Sequence, residues 1–182
     1  MAKVNLTSFT RKIDALSDTY KRLPNEIAAI AVNFSKERFR EQSWLDKSKE
    51  KWKSRKHSRK SQHGNQARNQ TLLVQTGRLK KSVRVISADE SKIVIDSDVP
   101  YAKIHNEGGT INKTVSVKTH NVKQHTRTRK GRKENVREHA KNAHTRKMNT
   151  TIPSRRFLGV SYTLTKRIEN LITARFMRAL KQ

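Results

Sequence analysis

The 182-residue chain contains no cysteine, only three prolines and six glycines, and few acidic residues. The absence of cysteine excludes disulfides, thiolate nucleophiles and thiolate metal ligands. The scarcity of glycine and proline argues against a low-complexity linker. The chain has no apolar run long enough to cross a bilayer, and its first residues lack the apolar core of a signal peptide. We therefore expect a protein that is made in the cytoplasm and has no membrane partner.

Positive charge dominates what is present. Forty-two Lys and Arg stand against fifteen Asp and Glu, which gives a formal net charge of +27. Residues 110–150 hold twelve of the cations against two acids, and residues 47–68 hold nine against one. The first stretch has almost no large apolar residue, so we expect it to order only on assembly with a partner. Its partner should carry dense negative charge, and the sequence leaves both nucleic-acid phosphate and acidic protein surfaces open.

This extended basic arm, residues 112–150, is flanked by strand-like segments. A β-ribbon or a loop whose ends are held together is therefore predicted. Its central cations are not interleaved with aromatic residues, which disfavours base stacking and favours contact with a phosphate backbone. The residues expected to contact DNA or a protein partner are Lys123, Arg127, Arg129, Lys130, Arg132, Lys133 and Arg137.

The apolar pattern of the first forty residues predicts a helix over residues 8–40 that continues through Pro24. The stripe that it forms could pack against the chain's own sheet or against a helix of another subunit. Its members recur at alternating spacings of four and three residues: Phe9, Ile13, Leu16, Tyr20, Leu23, Ile27, Ile30 and Phe34.

The remaining segments complete an α+β prediction. Residues 41–70 are expected to form a basic loop whose Trp44 and Trp52 either anchor it to the core or stack on nucleotide bases. Residues 71–111 predict a hairpin and a short helix, and residues 151–182 predict a return strand and a C-terminal helix. The chain is thus expected to be a single domain, residues 1–182. Its N- and C-terminal helices would pack on a small, mostly antiparallel β-sheet, with the long basic arm inserted.

Sequence motifs for catalysis are missing. The chain contains neither a Gly-rich phosphate loop nor a G-x-S-x-G nucleophile motif, and we detect no internal repeat. Four histidines of the arm are spaced H-x4-H-x13-H-x4-H, but their cationic surroundings oppose a divalent ion. They are His120, His125, His139 and His144. We predict no catalytic residue, no cofactor and no metal site, and we expect that the protein is not an enzyme.

Three short blocks occur in a characteristic order: LLVQTGRL at residues 72–79, VPYAKIHNEGG at residues 99–109, and IPSRRFLGVS at residues 152–161. Together they resemble the phage virion-morphogenesis, or tail-completion, family of Mu-like and P2-like tailed phages. More loosely, the chain is similar to neck and minor tail joining proteins. The residues that carry the resemblance are Thr76, Gly77, Arg78, Leu79, Tyr101, His105, Gly108, Gly109, Pro153, Arg155, Phe157, Leu158 and Gly159.

The resemblance implies a structural virion protein at the head-proximal end of a phage tail. It would form a ring, expected to be a hexamer, that completes the tail and joins it to the head neck and portal. Its partners would be copies of itself, tail tube or terminator proteins, head-neck proteins and genomic DNA in the lumen. It would be assembled in the host cytoplasm and reside in the neck of the virion. The alternative is a free-standing nucleic-acid-binding protein.

Within the blocks we expect mainly structural roles. Glycines of the first two blocks should form turns with positive φ, and Tyr101 should anchor the short helix. The ring of His105 should bond to a neighbouring backbone group. Arg155 and Arg156 are expected to be exposed towards an adjacent subunit.

Overall fold

The computed structural model describes residues 6–54 and 71–181. The second part of the predicted basic loop, residues 55–70, lies outside them. The chain divides into two compact units. We call the unit formed from Met1–Gly108 and Pro153–Gln182 the body, and the unit Gly109–Ile152 the ribbon.

The body contains helices and short hairpins. Its elements are α1 (Thr7–Glu41), β1 (Ser43–Leu45), β2 (Lys49–Lys51), α2 (Arg78–Ser82), β3 (Val83–Ala88), β4 (Ile93–Ser97), α3 (Ala102–Glu107) and α4 (Tyr162–Leu180). The ribbon consists of β5 (Gly109–Val117), β6 (His120–Val122), β7 (His125–Arg129), β8 (Arg132–Val136), β9 (His139–Lys141) and β10 (His144–Ile152). Every strand pair is antiparallel, which confirms the α+β class.

The strands of the described residues form five separate two-stranded sheets, in the pairs β1–β2, β3–β4, β5–β10, β6–β9 and β7–β8. Two-stranded hairpins are marginal in water unless another element covers one face. In the body that element is α1, which packs against β1, β3 and β4. The predicted small antiparallel sheet is thus present as separate two-stranded sheets.

Helix α1 continues through Pro24, as the unbroken stripe predicted, and is followed by Gln42 in the left-handed conformation. Helix α4 packs along the C-terminal half of α1. Two ion pairs join the helices: Arg167 lies 2.9 Å from Glu37, and Arg175 lies 2.7 Å from Glu26. As the residue number rises on one helix it falls on the other, so the two helices are antiparallel.

The core of the body lies where α1 ends. Phe39 packs edge-on against Trp52, with ring centroids 5.7 Å apart, and against Phe157 at 4.9 Å. The indole of Trp52 donates a 2.9 Å hydrogen bond to the carbonyl of Arg156. Trp44 is buried edge-on against Phe34. Both tryptophans thus anchor their segment to the body, and their burial opposes the base-stacking alternative. The remaining members of the core cluster are Leu79, Val83, Val99 and Ala102.

Candidate functional site

The ribbon is a long antiparallel hairpin whose register is constant from base to tip. Gly109 lies opposite Ile152 at its base, and Arg129 lies opposite Arg132 at its tip. Lys130 and Gly131 form the turn with φ of 46° and 79°. Two central residues with positive φ are typical of a type I′ turn, which matches the twist of a hairpin. At about 3.3 Å per residue, the hairpin spans at most roughly 70 Å.

The ladder of the ribbon is interrupted at two levels, and each interruption leaves two residues unpaired on both strands. A histidine follows every unpaired pair. Its Nδ1 lies 3.0 Å from the backbone oxygen of the residue two positions earlier. Since a carbonyl oxygen only accepts, Nδ1 must be the protonated nitrogen in each bond. The four histidines are His120, His125, His139 and His144.

These histidines form a short repeat that sequence reasoning missed. The first three end the tetrapeptides V-K-T-H, V-K-Q-H and V-R-E-H, and His144 has the same geometry without the valine. The five-residue spacing on both arms of the hairpin was the available signal. The histidines act as backbone caps, because each ring donates a hydrogen bond to a carbonyl at an interruption of the ladder.

The cations of the ribbon are concentrated around its tip. Arg127, Arg129 and Arg132 share one face of the hairpin because cross-strand partners and alternate residues point the same way. Glu134 lies on that face too and pairs with Arg127 at 3.1 Å. All seven predicted contact residues are exposed: Lys123, Arg127, Arg129, Lys130, Arg132, Lys133 and Arg137.

In the body, residues of all three sequence blocks meet at one cavity of about 300 Å³. Leu72, Leu73, Gln75, Thr76 and Leu79 come from the first block, Tyr101 and His105 from the second, and Arg155 from the third. The described residues that line the cavity include no carboxylate. They therefore do not supply the paired acids that general acid–base catalysis by carboxyl groups would require.

Arg155 does not have the exposed position expected for it. It is buried, and its guanidinium donates hydrogen bonds of 3.1 and 3.0 Å to the carbonyl of Lys53. Its backbone N–H donates to the carbonyl of His105 at 2.8 Å. Arg155 thus connects the segment after β2 to the third block. Arg156 is exposed, as expected, with its guanidinium 4.5 Å from the centre of the Trp44 ring.

His105 lies in a half-buried site beside Arg155. Burial, together with the charge of Arg155, lowers the pKa of the imidazole below its ordinary value. Its Nδ1 is buried without a hydrogen-bond partner among the described residues, so the expected bond to a backbone group is not formed. Tyr101 packs edge-on against the ring at 5.8 Å and is itself 42% exposed.

Asn106 organises the third block, and sequence reasoning did not single it out. Its Oδ1 accepts from the backbone N–H groups of Phe157 and Leu158, both at 2.9 Å, and its Nδ2 donates to the carbonyl of Leu158 at 3.1 Å. Its own carbonyl accepts from the hydroxyl of Ser154. The Asn106 side chain therefore fixes the backbone at Phe157 and Leu158, and the ring of Phe157 packs in the core.

The other block residues have local roles. Gly77, Gly108, Gly109 and Gly159 have positive φ. Leu79 and Phe157 are buried, and Leu158 is partly buried against the same cluster. Thr76 accepts a hydrogen bond from the N–H of Arg78 at 3.4 Å. Pro153 is partly buried and begins the return of the chain to the body.

Among residues 6–54 and 71–181, no three His, Asp or Glu side chains come together as a metal site. No helix in the described part of the chain is long and apolar enough to cross a membrane.

Comparison with known proteins gives one match. No curated protein and no solved structure matches the chain. The model of the phage virion morphogenesis family matches residues 4–177, and therefore covers all three blocks, the ribbon and nearly all of both long helices. The chain belongs to the phage virion morphogenesis family and has a role in building the phage particle.

Proposed function

We propose that this protein is a structural component at the head-proximal end of a phage tail. Copies of the chain form a ring, expected to be a hexamer, that completes the tail and joins it to the neck and portal of the head. Membership of the phage virion morphogenesis family is the observation that carries this proposal. The packing of the three blocks supports a structural role, because Leu79, Val99 and Phe157 of these blocks are members of the core of the body.

The ribbon is the element through which the protein contacts a negatively charged partner. The tip, His125–Val136, carries five Lys and Arg against one acid, and it has no aromatic residue. Protein interfaces usually bury aromatic or large apolar anchors at their centre. A tip built from Arg, Lys and Thr instead suits the phosphate backbone of DNA that passes through the ring. Acidic surfaces of neighbouring neck proteins are the alternative partner.

A complementation experiment tests the need for the ribbon. A phage lacking this gene would be supplied with the wild-type chain or with a chain in which a short turn replaces residues 112–150. We expect a large loss of titre with the shortened chain, provided that it accumulates as a folded protein. A normal titre would refute a necessary role for the ribbon.

A second experiment separates the virion role from that of a free-standing nucleic-acid-binding protein. The purified chain would be examined by native mass spectrometry and by DNA binding at several salt concentrations. We expect weak binding by the monomer and stronger binding by the assembled ring, because a ring presents several ribbons to one duplex. Tight, strongly salt-dependent binding by the monomer would favour the free-standing alternative.

We also propose that the protein has no enzymatic activity. Nuclease activity is the relevant test, since the proposed partner is DNA. Incubation with DNA and Mg²⁺ or Mn²⁺ should leave the substrate intact, and cleavage that copurifies with the chain would contradict the proposal.

A further inference from the structure

The N-terminal part of α1 extends beyond the helix that covers the rest of it. Arg175 of α4 pairs with Glu26 of α1 at 2.7 Å, and α4 ends at Leu180, five residues further on. In an antiparallel pair, the end of α4 therefore lies level with about residue 21 of α1. Residues 7–20 of α1, roughly 21 Å of helix, therefore extend beyond the end of α4.

The apolar stripe continues into this overhang, where Leu16 is partly buried and the other three members are exposed. Phe9 is 59% exposed, and Ile13 and Tyr20 are each 49% exposed. In the half of the helix that α4 covers, Leu23 and Phe34 of the same stripe are only 7% and 1% exposed. Exposed apolar stripes of this kind are unusual on a monomer and indicate an interaction surface.

Spacing indicates what kind of element covers the overhang. Phe9, Ile13 and Tyr20, with Leu16 between them, follow the alternating four- and three-residue spacing of helix–helix packing. The same spacing continues into the second half of α1, the half that pairs with α4 through Glu26 and Glu37. A helix is therefore the expected occupant.

The formal charge of the overhang indicates which protein supplies the covering helix. Residues 6–20 hold two cations, Arg11 and Lys12, and two acids, Asp14 and Asp18, so their formal charge is zero in a chain of charge +27. Like charges oppose contact between copies of such a chain, except through a neutral surface. An acidic partner would gain no charge attraction from this surface. The overhang thus has the properties that self-association requires.

We infer that the overhang of α1, residues 7–20, is the surface through which one copy of the chain packs against a helix of a second copy. This inference rests on the proposed ring and adds which part of the chain joins its subunits. The interface buries Phe9 and Ile13, while the ribbon is left to the charged partner.

Site-specific photocrosslinking tests this interface in assembled particles. p-Benzoylphenylalanine would replace Phe9, and in a control it would replace Val160, which is 77% exposed and lies off the stripe. After irradiation we expect the Phe9 probe to give an adduct of twice the mass of the chain, and peptide mapping should place both partners in helices of this protein. An adduct with a different virion protein, or no adduct, would overturn the inference.

A charge substitution provides an independent readout. Ile13→Asp should weaken self-association by about tenfold or more, because it places a carboxylate in an apolar interface. Asn25→Asp is the matched control, since it adds the same charge to an exposed position of the same helix. Circular dichroism would verify that both variants retain their helices. Equal assembly of the folded Ile13→Asp variant and the control would overturn the inference.

The outcomes also separate this inference from the proposed function. If the wild-type chain forms a ring in particles but the Phe9 probe reports no second copy, the choice of surface is wrong and the ring stands. If the wild-type chain is monomeric in particles, the ring itself is wrong.

Discussion

Arg129 and Arg132 lie directly opposite each other across the ribbon, one on each side of the Lys130–Gly131 turn. Like charges at directly opposed positions destabilise a hairpin. Among the described residues, the only ion pair within the ribbon joins Arg127 to Glu134, two residues further from the turn. The arrangement costs stability in the free chain, and an anion held between the two guanidinium groups would relieve it. This is the physical reason for assigning the tip to phosphate.

Neutralising the tip should therefore weaken DNA binding. In the variant Arg129→Gln/Arg132→Gln, we expect a lower affinity for duplex DNA and a salt dependence shallower by about 0.9 for each phosphate that the variant no longer neutralises. Filter binding or fluorescence anisotropy over a salt series would measure both. The effect should be similar for unrelated DNA sequences, because binding to phosphates carries no base information.

A control with the same change of charge decides whether position matters. Arg146 and Lys147 lie in β10, towards the base of the ribbon, and both are exposed. We expect Arg146→Gln/Lys147→Gln to reduce binding less than the tip variant. If both pairs reduced affinity and salt slope equally, the tip would have no special role and the ribbon would act only through its total charge.

The three hydrogen bonds of the Asn106 side chain lead to a prediction about stability. Asn106→Ala would leave the N–H groups of Phe157 and Leu158 without their acceptor. We expect the free energy of unfolding to fall by about 2 kcal/mol or more, measured by urea denaturation. Asn106→Asp should have an intermediate effect, because it keeps the acceptor but places an oxygen against the carbonyl of Leu158. Asn112→Ala, at an exposed position of the ribbon, should change stability little. A small effect of Asn106→Ala would show that the other bonds and the packing hold the third block without this side chain.

The helices could be predicted from the sequence because periodicity is a local signal. The stripe from Phe9 to Phe34 predicted α1 through Pro24, and the apolar face of the last segment predicted α4. The two tryptophans were also informative, since a large apolar ring in a polar segment needs a place in the core. Because this signal is local, however, the pattern could not show at which residue of α1 the packing of another helix against the stripe ends. That depends on how far α4 reaches along α1.

The environment of the block residues was less predictable because their partners are remote in sequence. The buried guanidinium of Arg155 donates to the carbonyl of Lys53, which is 102 residues away. Asn106 acts on backbone groups 51 and 52 residues away. Nothing near either residue in the sequence indicates these bonds. By contrast, the histidine caps of the ribbon are local and could have been recognised from their spacing.

The half-buried position of His105 makes stability depend on pH. Burial and Arg155 lower its pKa in the folded protein, so the unfolded chain takes up a proton first as the pH falls. Its contribution to stability is therefore full above the ordinary histidine pKa of about 6.5 and decreases below it. We expect the stability difference between wild type and His105→Gln to change between about pH 7.5 and pH 5, with the wild type losing more on acidification. A constant difference across the range would contradict the assignment.

A side chain added at Gly159 would meet the guanidinium of Arg156, which in turn lies against Trp44. A Cβ at this position would approach Nη2 of Arg156 to 2.7 Å, and the backbone has φ of 144°. The guanidinium that would have to move lies 4.5 Å from the centre of the Trp44 ring. We therefore expect Gly159→Ala to destabilise the protein by about 1–3 kcal/mol and to change its tryptophan fluorescence.

A double-mutant cycle separates the two causes of that loss. If the clash with Arg156 dominates, the variant Arg156→Ala/Gly159→Ala should be more stable than the sum of the single effects predicts, by about 0.5 kcal/mol or more. If the backbone conformation dominates, the two effects should add, because removing the arginine does not relieve a φ that an alanine adopts poorly. Since a flexible guanidinium can move more easily than the backbone can, we expect the coupling to be measurable but smaller than the loss caused by Gly159→Ala alone. Unchanged stability of Gly159→Ala would show that both the arginine and the backbone adjust without cost.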